Sequence, residues 1–208
     1  LGDVYKRQLR DSSRRLSAVR HQRCLTPDCG TRTQYFRNFK QTEIMKHDEY
    51  PFTPEDVRFM EMAARLAEEN VDRGGGPFGA VIVRDGKVIA TGANSVTLTN
   101  DPTAHAEVNA IREACRKEQT FSLKGCTVYS SCEPCPMCLS ALYWAGVSRI
   151  FFGNTQQDAD RINFSDEFLY KELARPRVER AIPCIHMDNA FTIRAFEKWA
   201  DKADKVAY

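Results

Sequence analysis

Apolar residues fall into a helical period soon after residue 52. Val57, Met60, Ala64, Ala67 and Val71 lie three or four apart, which predicts an amphipathic helix running to near Asp72. Thr53-Pro54-Glu55-Asp56 marks its start, with a capping hydroxyl, a proline for the first helical position and acids in the first turn. Gly74-Gly75-Gly76-Pro77 stops it. The period then changes. Residues 78–83 form a short apolar run, Asp85-Gly86 is a hairpin turn signal, and residues 87–93 return, so two paired strands are predicted. Residues 94–101 are polar and predict a loop. Pro102 and Thr103 introduce a second helix over 104–117, with Val108, Ile111 and Cys115 on one face. A strand over 126–131, a helix over 135–145 and a strand over 149–153 follow. A helix between two strands implies a parallel crossover, so the predicted class is α/β, a three-layer α/β/α sandwich around a mixed sheet. The last helix is predicted over 191–203, with Phe191, Ala195, Phe196 and Trp199 as an apolar stripe.

Composition narrows this picture only slightly. The chain has 208 residues, room for one domain with some excess. No run approaches the roughly 18 apolar residues of a membrane span, and no segment near the start has the pattern of a secretory signal. The 8 Cys are too sparse for a disulfide scaffold. Cys132, Cys135 and Cys138 are spaced by three, as at metal sites of reducing compartments, which predicts a cytoplasmic protein. Cys24, Cys29, Cys115, Cys126 and Cys184 read as free thiols.

Charge is unevenly spread. Residues 1–44 carry ten Lys or Arg against four acids, and the rest is mildly acidic. Such an arm could bind nucleic acid. Residues 10–37, however, lack the sustained apolar periodicity that would order them. Residues 1–44 are therefore expected to be a disordered or non-native upstream extension, Met45 the natural start, and 45–208 the folded domain.

The chemistry gathers at His105-Ala106-Glu107 and Pro134-Cys135-Pro136-Met137-Cys138. His105, Cys135 and Cys138 are ligands of the kind a tetrahedral zinc ion takes, and three of them leave a fourth position for a water that zinc can activate. Glu107 is not needed for coordination. It can take a proton from that water and give one to a leaving amine. His-x-Glu with Pro-Cys-x-x-Cys is the pattern of zinc-dependent base deaminases. The predicted elements put His105 and Glu107 in the first turn of one helix and Cys135 and Cys138 in the first turn of the next. Two positive helix ends would then favour thiolates and a developing anion. A structural zinc closed by Cys132 is the competing reading. Cys132 falls at a strand end, and Pro134 disfavours helix running back through Glu133, so Cys132 is expected to be a non-ligand thiol. A redox Cys-x-x-Cys leaves His105 and Glu107 unexplained.

Asp101-Pro-Thr-Ala-His-Ala-Glu-Val108, Ser130-Ser-Cys-Glu-Pro-Cys-Pro-Met-Cys138, Tyr143-Trp144-Ala145, Gly75-Gly76-Pro77-Phe78-Gly79-Ala80 and Phe164-Ser-Asp-Glu-Phe-Leu-Tyr-Lys-Glu172 resemble the guanine deaminases of the cytidine deaminase-like fold. The similarity runs over 52–208. It implies hydrolysis of guanine to xanthine and ammonia with one zinc per chain, held by His105, Cys135 and Cys138, and with Glu107 as proton shuttle. It implies Asn94 as hydrogen-bonder to the purine edge, Phe78 and Trp144 as aromatic walls, and the backbone N–H of Ala106 facing the substrate carbonyl. Asp166 matches a carboxylate that holds guanine and helps move protons; it could instead cap a helix over 167–173. Trp144 could equally be core packing. Tyr208 matches a C-terminal residue that closes the site, in a lid over 190–208. The resemblance further implies a homodimer with exchanged C-terminal segments.

Residues 154–161 lack the glycines that tRNA adenosine deaminases carry after the fourth strand, and the acidic balance beyond residue 44 argues against a broad RNA-binding face. Deamination of guanosine, of adenosine in tRNA or of cytosine stays open as an alternative. So does a zinc-structured nucleic-acid-binding module that uses 1–44 as a basic arm.

Overall fold

The computed structural model describes residues 51–187 and 191–207. The extension over 1–44, the start at Met45, Cys24, Cys29 and Tyr208 lie outside the described residues.

Helix α1, Pro54–Asp72, begins as its sequence dictates. The Asp56 N–H donates to Thr53 Oγ1 at 3.1 Å and the Thr53 N–H donates to Asp56 Oδ2 at 2.8 Å, a reciprocal capping box. The buried stripe differs from the predicted one. Phe59, Ala63, Ala67 and Asn70 are buried, whereas Val57 and Val71 are half exposed. The reason lies across the interface. A Cβ at Gly79 would stand 2.4 Å from Ala63 O and 2.8 Å from Ala67 N, so helix and strand touch backbone to backbone. Only small residues fit that seam, and it selects the alanine stripe over the valine stripe.

Strands β1 (Gly79–Arg84) and β2 (Lys87–Ala93) form the expected hairpin, with Asp85 at φ 50° and Gly86 at φ 71° in the turn. The polar stretch after β2 contains a single helical turn, α2 (Val96–Thr99), ended by Asn100 at φ 53°. Its brevity leaves no periodic signal to read. Then come α3 (Ala106–Glu118), β3 (Thr127–Cys132), α4 (Pro136–Ala145) and β4 (Arg149–Asn154). The sheet order is β2-β1-β3-β4, with β1 antiparallel to both neighbours and β3 parallel to β4 across the α4 crossover.

Alternation along β1 separates two cores. Ala80 and Ile82 join Val128, Ala110, Ala114 and Leu142 under α3 and α4. Val81 and Val83 join Phe59, Ala63 and Tyr129 under α1. A strand buried on both faces reads as one apolar run, as β1 does. The result is a three-layer α/β/α sandwich around a mixed sheet. Beyond β4 lie the short helices α5 (Gln156–Arg161), α6 (Glu167–Ala174) and α7 (Ile193–Asp201), with a 3₁₀ turn at Arg177–Glu179. Helix α7 is shorter than the predicted 191–203. Its stripe faces outward, with Phe191 and Phe196 about three-quarters exposed. Among the described residues no helix is long and apolar enough to cross a membrane.

Candidate active site

Two loops at one end of the sheet carry the predicted zinc ligands. His105 is the N-cap of α3 and Cys135 the N-cap of α4, both with extended backbone. They were predicted inside the first turns, and the structure places them just before those turns. Neither side chain caps its own helix. Both turn toward Cys138 in the first turn of α4. His105 Nδ1 lies 3.6 Å from Cys135 Sγ and 3.5 Å from Cys138 Sγ. Ligands about 2.1 Å (N) and 2.3 Å (S) from a tetrahedral zinc would stand about 3.6 Å apart, so the cluster is preshaped for that ion. The three ligand atoms lie within 4.8 Å of one another. A close approach holds α3 in place: a Cβ at Gly92 would meet Ala106 O at 2.2 Å and Ala110 N at 2.5 Å.

Protons are unevenly held. The Cys138 thiol donates toward Cys135 and, against the opposing effect of burial, brings the Cys135 thiol down to about 4, with the His105 ring assisting. Cys138 is pushed up by the same bond, by burial and by the Glu107 charge. His105 is raised, first by Cys135. A cation between them would relieve the shared proton and ionise both sulfurs. Cys132 behaves differently. Burial, then the Glu107 charge, push its thiol up to about 11, and its Sγ lies 3.8 Å from Thr155 O. It is not part of the cluster.

Glu107, in the first turn of α3, is 6 % exposed. Burial raises its pKa, opposed by hydrogen bonds that include one donated by Ser130 Oγ to Oε1 at 3.0 Å. A carboxyl so placed binds and releases a proton more readily near neutral pH than an exposed one. The fully buried Ala106 is the first residue of α3, so its N–H has no acceptor within the helix and can serve a ligand.

Asp166 occupies the N-cap position of α6, yet its side chain makes no capping bond. Its Oδ1 is buried without a hydrogen-bond partner. Burial raises this carboxyl, a hydrogen bond from Gln156 opposes the shift, and the Cys135 charge adds to it. The cap alternative fails, since the side chain makes no capping bond. Phe78 meets Phe164 edge to face, ring centroids 5.1 Å apart. Asn94 is buried. Its Oδ1 accepts from the Val96 N–H at 3.2 Å, and its own N–H donates to Phe78 O at 3.0 Å.

Trp144 departs from one of its two predicted roles. It is 70 % exposed, which removes the core-packing alternative. It sits in the last turn of α4, whereas Cys135 and Cys138 lie at the start of that helix.

Sequence reasoning passed over Asn70, Ser130, Asn109 and Phe164 as site residues. Asn70 had a signal: it continues the 63–67–70 spacing, a polar residue in a buried register. The choice of the neighbouring stripe hid it.

Comparison with known proteins follows the same outline. Residues 53–154 match the family described as the cytidine and deoxycytidylate deaminase zinc-binding region. The guanine deaminase of Bacillus subtilis is 48% identical over 151 residues, 72% of this chain and 97% of that protein. Its X-ray structure matches with a TM-score of 0.72 over 73% of this chain and 98% of its own. The guanine deaminase of Nitrosomonas europaea matches with a TM-score of 0.51 at 31% identity, over 56% of this chain and 66% of that one. The tRNA-specific adenosine deaminase of Aquifex aeolicus is 44% identical over 94 residues, 45% of this chain and 62% of that protein.

Proposed function

Because the chain belongs to the zinc-dependent cytidine and deoxycytidylate deaminase family, on its guanine deaminase branch, we propose that it hydrolyses guanine to xanthine and ammonia. The observation that carries this reading is the His105–Cys135–Cys138 cluster beside a buried Glu107, within a chain that spans nearly the full length of the Bacillus subtilis enzyme. One zinc per chain fits the three ligands. When bound it supplies a Lewis acid that brings the pKa of water toward about 7.

The chain's own groups do the rest. Glu107 takes a proton from the attacking water and places it on the ring nitrogen beside C2, while Ser130 holds its Oε1. The water oxygen bonds to C2. Glu107 collects the second water proton and delivers it to the exocyclic amine, the C2–N bond breaks, and ammonia leaves. Asp166, with a buried and unengaged oxygen, receives the polar edge of the base and assists the leaving amine. Asn94 hydrogen-bonds the purine edge, Phe78 and Phe164 flank the ring, and the Ala106 N–H faces the substrate carbonyl.

The oligomer belongs to the same reading. The chain forms a homodimer in which the C-terminal segment crosses to the partner and Tyr208 closes the neighbouring site. The exposed Phe196 and Trp199 on α7 support this, as apolar surface of the kind a second copy would bury. Free thiols and a thiolate metal site support a cytoplasmic enzyme of purine breakdown.

The test is ammonia release from guanine, guanosine, adenine, cytosine and cytidine by the zinc-loaded chain. Guanine is expected to be the preferred substrate, with xanthine as product. Preference for cytosine, adenine or a nucleoside overturns the assignment.

A further inference from the structure

We propose that Asn70 is a positioning residue for the purine, acting through Asn94. The inference rests on the reading of Asn94 as a partner of the base. Asn70 lies near the end of α1 and is 4 % exposed. An amide buried on an apolar helix face costs stability unless its hydrogen bonds are made. Here both donors are used: Nδ2 reaches Asn94 O at 2.7 Å and Gly76 O at 2.8 Å. The Asn70 backbone carbonyl also accepts from the Gly75 N–H at 2.9 Å. One side chain thus staples the glycine loop before β1 to the backbone at the end of β2.

These bonds determine how Asn94 is presented. Its N–H donates to Phe78 O at 3.0 Å, and its carbonyl is held by Asn70. The preceding carbonyl, Ala93 O, accepts from Asn109 Nδ2 at 2.8 Å. The Val96 N–H at Oδ1 fixes which way round the Asn94 amide lies and turns Nδ2 to the other side. Gly76 closes against the same side chain: a Cβ there would stand 3.0 Å from both Asn94 Cγ and Oδ1. A donor that must meet an acceptor on a flat base within a few tenths of an ångström gains from being fixed beforehand. Aspartate at position 70 would set a carboxylate oxygen against two carbonyls, and leucine would leave both unpaired.

A role confined to loop stability would weaken the protein without depending on Asn94, so a double-mutant cycle separates the two. Guanine kinetics are measured on the full zinc-loaded chain for Asn70→Ala, Asn94→Ala and the pair, with zinc content and melting temperature recorded. Asn70→Ala should raise KM for guanine about tenfold with a smaller change in kcat. In the Asn94→Ala background the same change should cost less than about twofold. Gly76→Ala, which displaces the Asn94 side chain and leaves Asn70 intact, should raise KM in the same way and lose its effect once Asn94 is alanine. This pair decides the matter if Asn70→Ala does not fold. Additive losses, or an unchanged KM in Asn70→Ala or Gly76→Ala while Asn94→Ala is impaired, overturn the positioning role alone. A normal KM in Asn94→Ala overturns the role of Asn94 and the inference with it.

Discussion

Cys135 and Cys138 sit beside one imidazole, while Cys132 keeps its proton against a backbone carbonyl. That difference predicts metal content. Cys135→Ser should lose zinc and Cys132→Ser should retain it, as read by metal analysis of the purified proteins; equal loss in both would make Cys132 a fourth ligand and close the site. Glu107 follows from its burial and its bond to Ser130. Glu107→Gln should keep fold and zinc and lose roughly 10²–10⁴ in turnover, the usual share of a general acid–base group. A rate near that of the parent would remove Glu107 from proton transfer. Asp166→Asn should cost less, because an amide keeps part of the hydrogen bonding. The grouping of His105, Cys135 and Cys138 was legible in the sequence because coordination chemistry restricts which residues can serve. The bonds of Ser130 to Glu107 and of Asn70 to Asn94 and Gly76 were not, because an amide or hydroxyl declares its partner only in the fold.

Helix ends were legible for a related reason, since capping is local. Thr53 and Asp56 announce α1 from four consecutive residues, and Asp85-Gly86 announces the hairpin. Which face of α1 turns inward was not legible. The seam against Gly79 decides it, and that contact lies outside any local window. Asp56 also accepts a 2.6 Å hydrogen bond from Tyr129 Oη on β3, tying the helix start to the sheet. Burial raises the Asp56 carboxyl, but the bonds from Tyr129 and Thr53 outweigh it and hold the pKa below its ordinary value. A carboxylate depressed in the folded state stabilises above its unfolded pKa, and that contribution fades as pH falls through the folded value. Tyr129→Phe should therefore lower the urea midpoint at pH 7, with a smaller deficit near pH 3. A deficit equal at both pH values would mean that the lost bond does not act through Asp56 ionisation. Thr53→Ala should cost about 1 kcal/mol in the same titration.

Among the described residues the C-terminal helix carries an exposed apolar stripe. Its stripe was legible from spacing; what covers it was not, because a single sequence carries no mark of the surface a helix packs on. Deleting 204–208 should leave a folded, zinc-loaded dimer that has lost most guanine turnover, as sedimentation and an activity assay would show. A monomer with full activity would dispose of segment exchange. The match to a tRNA adenosine deaminase over 94 residues makes substrate choice the decisive question. The most direct measurement offers the zinc-loaded chain free guanine and a tRNA anticodon stem-loop carrying the target adenosine, and follows xanthine and inosine by chromatography. Xanthine should accumulate in step with ammonia while the stem-loop stays unchanged. Inosine in the RNA with no xanthine would contradict guanine deamination.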